Sequence, residues 1–256
     1  MTQPRIRAQD QFGPVADLYV RSKGHAEGDD LERIVALSGA TAADRVLDIA
    51  TGGGHTALAM ARVAGSVTAT DLTPEMLAAA ERFIGEHGVD NVRFQLADAQ
   101  ALDFVGASFD ITTCRIAPHH FPDPGAFVHE AWRVLRPGGR FLLEDSVVPA
   151  GAVGDYLNGI EMVRDRSHIR SLAVDAWWTL LIEAGFTVLR LETFRKRHEL
   201  TDWMTRTATP PEAQQDVRRR FVAAGDIIRR AYAIEYDDDG RPLAFWDHKA
   251  LFLCVK

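Results

Sequence analysis

The run Arg45-Val46-Leu47-Asp48-Ile49-Ala50-Thr51-Gly52-Gly53-Gly54-His55-Thr56-Ala57 constrains this chain more than any other stretch. Val46, Leu47 and Ile49 make a short apolar strand around an acid, and three glycines follow before the small residues that open a helix. Glycines at such a turn let a ligand approach the backbone, and the helix N-terminus adds N–H donors that lack intrahelical partners. Asp48 at the strand's end repels a pyrophosphate and suits an ammonium group. The turn therefore suits an adenosine-containing ligand that carries an amine.

From residue 30 onward, helical and strand periodicities alternate. Leu31, Ile34, Val35 and Leu37 predict a short amphipathic helix that Gly39 ends. Arg45 to Ile49 is the first strand, with a helix from Thr56 to Val63 behind it. Ser66 to Asp71 is the second; Thr73 then caps a helix that Pro74 opens, with an apolar face of Met76, Leu77, Ala80, Phe83 and Ile84. Val92 to Ala97 and Phe109 to Cys114 follow as strands. The helix through Phe127, Val128, Ala131, Val134 and Leu135 stops at Arg136-Pro137-Gly138-Gly139, before a fifth strand from Arg140 to Glu144. Repeated βα units of this size predict a doubly wound, mostly parallel α/β sheet.

Beyond residue 150 the rhythm changes. A helix through Trp177, Leu180, Leu181 and Ala184 ends at Gly185, and Thr187 to Phe194 is a sixth strand. Residues 198 to 231 are mostly helical, with Val217, Phe221, Ala224 and Ile228 at helical spacing. The turn Asp237-Asp238-Asp239-Gly240-Arg241-Pro242 separates strand-like runs over Tyr232 to Tyr236 and Leu243 to Val255, so the last of seven strands enters the sheet antiparallel. The whole chain reads as one domain. Residues 1–29 form an N-terminal lid, 30–150 the ligand-binding core and 151–174 with 198–242 a cap; 175–197 and 243–256 complete the sheet.

A net charge of −7 without a basic stripe argues against a nucleic-acid partner. Arg218-Arg219-Arg220 with Arg229-Arg230 lies on a helical pattern and reads as a solvated face. The two cysteines, Cys114 and Cys254, sit in apolar strand-like runs, which predicts buried free thiols and a reducing compartment. Met1 to Gly13 is polar, and no apolar run approaches bilayer length, so a cytoplasmic protein without a membrane partner is expected.

Gly52-Gly53-Gly54-His55-Thr56-Ala57 fits the dinucleotide pattern G-x-G-x-x-A, with Asp71 nineteen residues after Gly52. That fingerprint alone admits an NAD-dependent oxidoreductase. Asp48 before the glycines, an acid after the third strand in Ala97-Asp98-Ala99, and Val134-Leu135-Arg136-Pro137-Gly138-Gly139 shift the balance. Together these ordered motifs resemble the class I S-adenosylmethionine-dependent methyltransferases over residues 12 to 196, nearest the ubiquinone/menaquinone C-methyltransferase branch. Ala50 stands where that family's first motif has a glycine. The resemblance implies that Asp48, Ala50, Gly52 and Gly54 hold the methionine part of S-adenosylmethionine. It assigns Asp71 to the ribose diol and Asp98 to the adenine amine, with Leu72 and Ala99 flanking the ring; Met76 and Arg115 complete the set. A carboxylate accepting two hydrogen bonds suits a diol, although Asp71 beside Thr73-Pro74 also suits a helix N-terminus.

Similar methyltransferases fold an N-terminal segment over the cofactor, which makes Tyr19 a lid candidate; Phe12, Val15 and Tyr19 also suit plain core packing. His119 and His120 follow the fourth strand, where open α/β sheets bind ligands, and are the candidate general bases. His168 and Asp145 are lesser candidates, and no ligand spacing for a metal accompanies them. Trp177, Trp178, Trp203 and Phe221 would line an acceptor pocket suited to an apolar or ring-containing small molecule. The expected partners are that small-molecule acceptor and, at most, a second copy of the chain. A protein that binds S-adenosylmethionine without transferring methyl stays open.

Overall fold

A computed structural model describes residues 7–13 and 29–256. Before the sheet come α1 (Ala8–Phe12) and α2 (Asp29–Ser38). The first half alternates β1 (Arg45–Asp48), α3 (His55–Ala61), β2 (Ser66–Asp71), α4 (Pro74–Glu86), β3 (Val92–Leu96) and β4 (Phe109–Arg115). A 3-10 turn (Pro118–His120), α5 (Pro124–Val134) and β5 (Leu135–Val147) follow. The second half holds α6 (Ala152–Arg164), α7 (Val174–Glu183), β6 (Thr187–Glu199), α8 (Leu200–Arg206), α9 (Pro211–Val222), α10 (Asp226–Ala231), β7 (Glu235–Tyr236) and β8 (Pro242–Val255).

The described strands form one eight-stranded sheet in the order β3-β2-β1-β4-β5-β8-β6, with the two-residue β7 on β8. β1 to β5 pair in parallel, whereas β8 runs antiparallel between β5 and β6. The strand order reverses between β1 and β4, and a crevice opens there at the strands' C-terminal ends. The expected mostly parallel sheet with an antiparallel last strand is the observed one; β7 is the addition.

Three apolar clusters hold the layers. Phe127, Phe141, Leu143, Trp177 and Phe252 pack under α5 and α7 on one face. Ile34, Val46, Met60, Ile84, Leu142 and Leu251 fill the other, under α2, α3 and α4. A third cluster joins Leu157, Trp203, Val217, Phe221 and Tyr232 of the cap helices to Phe245 of β8. Each such side chain contributes about 1.5–3 kcal/mol by leaving water.

Strand boundaries differ from expectation where charge interrupts the apolar pattern. β6 continues past Phe194 to Glu199 because its partner strand β8 supplies hydrogen bonds regardless of side chain. β5 begins at Leu135, and its ladder to β4 slips around Arg136-Pro137-Gly138-Gly139 as a bulge. Tyr232 follows α10 and buries its ring, its hydroxyl donating to the Val153 carbonyl at 3.0 Å, so only Glu235 and Tyr236 pair as β7.

The glycine-rich turn is tight for two reasons. Ala50 holds φ +55, a left-handed conformation that costs a residue with a Cβ about 1–2 kcal/mol. Gly54, at φ +86, precedes α3, and a Cβ there would meet Ala80 Cβ at 3.0 Å and Ile84 Cδ1 at 3.1 Å. Its role is to let α3 and α4 close together. Gly54→Ala should therefore lower unfolding free energy by about 2–4 kcal/mol, from backbone strain plus overpacking. Urea denaturation checks this, and a loss under about 1 kcal/mol would refute the close-packing account.

Candidate active site

The crevice widens into a cavity of about 1580 Å³, its open mouth included. It runs from the glycine-rich turn to the helices α6 and α8. One end is formed by the glycine-rich turn and the ends of β2 and β3, the other by the 3-10 turn, α6, α8 and the ends of β5, β6 and β8.

At the first end, Ala50, Gly52, Asp71, Leu72, Met76, Asp98 and Ala99 all line the wall. Asp71 Oδ2 accepts the Gly52 N–H and Oδ1 the Thr73 N–H, both at 2.9 Å. The carboxylate ties turn to helix, and each oxygen keeps a further lone pair for a ligand. Burial pushes its pKa up while those backbone donors oppose the shift. Asp98 accepts the Gln100 N–H at 2.9 Å. Phe12 of α1 also lines this cavity, and Gln9 of α1 donates to the Leu72 carbonyl.

Two sequence candidates lie behind the wall. Gly54 packs against α4, as described. Asp48 is 1% exposed and takes the hydroxyls of Thr51 and Thr113, each at 2.6 Å. Its oxygens tie Thr51 of the turn to Thr113 of β4. Burial pushes its pKa up to about 6 against those two donors. Tyr19 falls outside the described residues.

At the second end both histidines line the cavity with different partners. His119 Nδ1 stands 2.6 Å from Asp145 Oδ1, and the ring is neutral because burial, then His120 and Lys249, hold its pKa well below the ordinary value. Burial pushes Asp145 up to about 7. With a proton on Nδ1, shared with Asp145, Nε2 would be the basic nitrogen of the ring. His120 sits beside His119, ring centroids 4.2 Å apart, and Ser167 links it to Asp165 through contacts of 3.1 and 2.6 Å. The His119 carbonyl accepts the N–H groups of Ile169 and Arg170 at 2.9 and 3.0 Å, fastening the segment after α6 to the 3-10 turn. His168 is removed from the cavity wall, its Nε2 2.9 Å from Asn158 Oδ1.

Charge dominates this end. Arg115 is clamped by Asp30 of α2 at 2.5 Å, with Glu144 at 3.4 Å. Lys249 donates to Ser146 at 2.5 Å and pairs with Asp247 at 2.9 Å; Asp247 meets His198 at 3.0 Å, and Arg206 meets His198 Nδ1 at 3.1 Å. Arg164 pairs with Glu161 at 2.9 Å and stacks 4.3 Å over Trp203. The expected aromatic lining is corrected accordingly. Trp203 lines the cavity, but Trp177 and Phe221 are core and Trp178 is 43% exposed on α7. Sequence reading missed Lys196, His198, Asp247 and Lys249. For Asp247 and Lys249 the signal was two charges two residues apart in the apolar run of β8, which puts them on one face; Lys196 and His198 sit in the unbroken charged run Arg195 to Glu199 and carried none.

Comparisons with known proteins agree with this geometry. A family model described as a methyltransferase domain matches residues 47–143. The chain is 35% identical to the uncharacterized methyltransferase YcgJ of Bacillus subtilis over 235 residues, 91% of this chain and 93% of that protein. The crystal structure of a methyltransferase homologue from Bacillus halodurans superposes with a TM-score of 0.86 at 36% identity, covering 90% of this chain and 99% of that one. A demethylmenaquinone methyltransferase of Thermus thermophilus is 41% identical over 125 residues, 48% of this chain and 56% of that protein.

Glu144 carries a measurable consequence. Burial raises its carboxyl from 4.5 to about 8, with Arg115 opposing. A carboxyl raised by folding contributes stability that is complete below the unfolded value and lost as pH climbs through the folded one. Glu144→Gln should thus gain on the unaltered protein by about 3–5 kcal/mol between pH 4.5 and 9. Urea titrations across that range test it; a pH-independent difference would exclude the assignment.

Proposed function

The chain belongs to the class I S-adenosylmethionine-dependent methyltransferases, and from that premise we propose that it methylates a small molecule, with the His119–Asp145 pair as general base. The observation carrying this reading is the 2.6 Å Nδ1···Oδ1 contact of Asp145 with His119, a residue that lines the cavity. An oriented, neutral imidazole there suits an acceptor whose nucleophilic atom bears a proton.

The residues present fit the cofactor. Gly52 has no side chain to obstruct approach, Asp71 retains one lone pair per oxygen for a diol, and Leu72 and Ala99 offer apolar surface beside Asp98. Bound S-adenosylmethionine supplies an activated methyl group on its sulfonium. The chain's own part is to hold the acceptor in line, keep water away and take its proton at His119 Nε2. Asp145 keeps the imidazole proton on Nδ1 and favours the imidazolium that results. The lid proposed for residues 1–29, with Tyr19, would complete the exclusion of water.

Two measurements test this. Asp71→Ala should weaken S-adenosylhomocysteine binding by about 1.5–3 kcal/mol in calorimetry, and unchanged affinity in a folded variant would sink the ribose assignment. His119→Ala should lower kcat roughly a hundredfold without altering cofactor affinity, Asp145→Asn acting in the same direction. The assay is mass spectrometry of a metabolite extract for a net gain of one CH2. Cofactor binding without any such product would mean that the protein binds the cofactor without transferring its methyl group.

A further inference from the structure

Two carboxylate oxygens in the cavity wall lack a donor. Asp165, just after α6, spends Oδ1 on Ser167, whose N–H and hydroxyl donate at 2.9 and 2.6 Å. Asp247 of β8 pairs through Oδ2 with Lys249 at 2.9 Å and His198 at 3.0 Å. Among the described residues nothing donates to Asp165 Oδ2 or Asp247 Oδ1, although the two residues are only 1% and 6% exposed and both line the cavity. Resting on the methyl-transfer reading, we propose that the acceptor is a polyhydroxylated small molecule and that two of its hydroxyl groups donate to these oxygens.

Both side chains are ionised and therefore only accept hydrogen bonds. Burial opposes that, yet His120 and Arg164 hold Asp165, and Lys249 and His198 hold Asp247, below the usual carboxylate range. A buried acceptor atom left without a donor costs about 1–3 kcal/mol, more when it is charged, and native structures rarely tolerate one. An apolar substrate would expel water from these oxygens and offer nothing in its place. An ammonium group is not called for: Asp247 has the Lys249 ammonium on its other oxygen, and Arg164 Nη2 stands 4.0 Å from Asp165 Oδ2. A neutral hydroxyl fills the lone pair without setting another charge beside those cations. Burial raises the pKa of Glu161 against Arg164, and Asp165 and Asp247 both add to the rise, so the two carboxylates flank one region of the wall. His119 lines the same cavity, and a further hydroxyl of the anchored molecule suits it as the group that gives up a proton.

The probe is a metabolite extract, incubated with the full-length protein and S-adenosylmethionine and read by mass spectrometry. The product that gains one CH2 is run again in deuterated solvent, where every remaining O–H or N–H hydrogen exchanges and adds to the mass. At least two exchangeable hydrogens on oxygen are expected, accurate mass giving the oxygen and nitrogen content. Asp165→Asn keeps the Oδ1 that Ser167 holds and turns Oδ2 into a donor. It should raise the half-saturating amount of extract roughly ten- to hundredfold, with kcat and S-adenosylhomocysteine affinity within about twofold. Asp247→Asn should act in the same direction; either variant that folds decides, and the exchange count decides alone if neither does. A product with fewer such hydrogens, or with all of them on nitrogen, overturns the proposal. Unaltered half-saturation overturns it too and leaves the two oxygens to water, while a joint fall in kcat and S-adenosylhomocysteine affinity would make the carboxylates merely structural. Cofactor binding without any methylated product would instead sink the methyl-transfer reading, and this proposal with it.

Discussion

The register of β8 is the constraint on which the second end of the cavity depends. β8 pairs antiparallel with β5 on one side and β6 on the other, Lys249 opposite Ser146 and Asp247 opposite Lys196. A slip of one residue would turn Asp247 and Lys249 to the opposite face and bring Trp246 and His248 inward. The apolar residues farther along, Leu251, Phe252 and Cys254, lock the register because each is nearly fully buried. Hydrophobic packing at one end of the strand thus positions charge at the other.

Charge is tolerated there because it is shared. Lys249 is 4% exposed and would be costly alone, but Asp247 and Ser146 surround it. Removing one member of such a chain strands the others, so the group behaves as a unit. The first end works differently. Asp48 and Asp71 spend their oxygens on Thr51, Thr113, Gly52 and Thr73, so both brace the turn, and Asp71 lines the cavity as well.

The first end was legible in the sequence because it is local. A strand, an acid, glycines and a helix start within thirteen residues, and Asp71 and Asp98 end neighbouring strands, so order along the chain maps onto order in space. The second end joins residues from positions 30 to 249, and only register brings them together. Aromatic residues misled for a related reason: Trp177 and Trp178 are adjacent, yet one is core and the other half exposed, and composition does not say which way a helix turns. The threonine partners of Asp48, one of them on β4, are likewise invisible without the fold.

The His119 carbonyl receives two backbone N–H groups, from Ile169 and Arg170. Main-chain bonds persist through almost any side-chain replacement, whereas α6 and α8 meet the cavity through side chains such as Arg164 and Arg206. Arg164 or Arg206 can therefore be exchanged while the backbone bonds that seat His119 remain. The seat of the imidazole is thus written in the main chain, and the character of the opposite wall in exchangeable side chains.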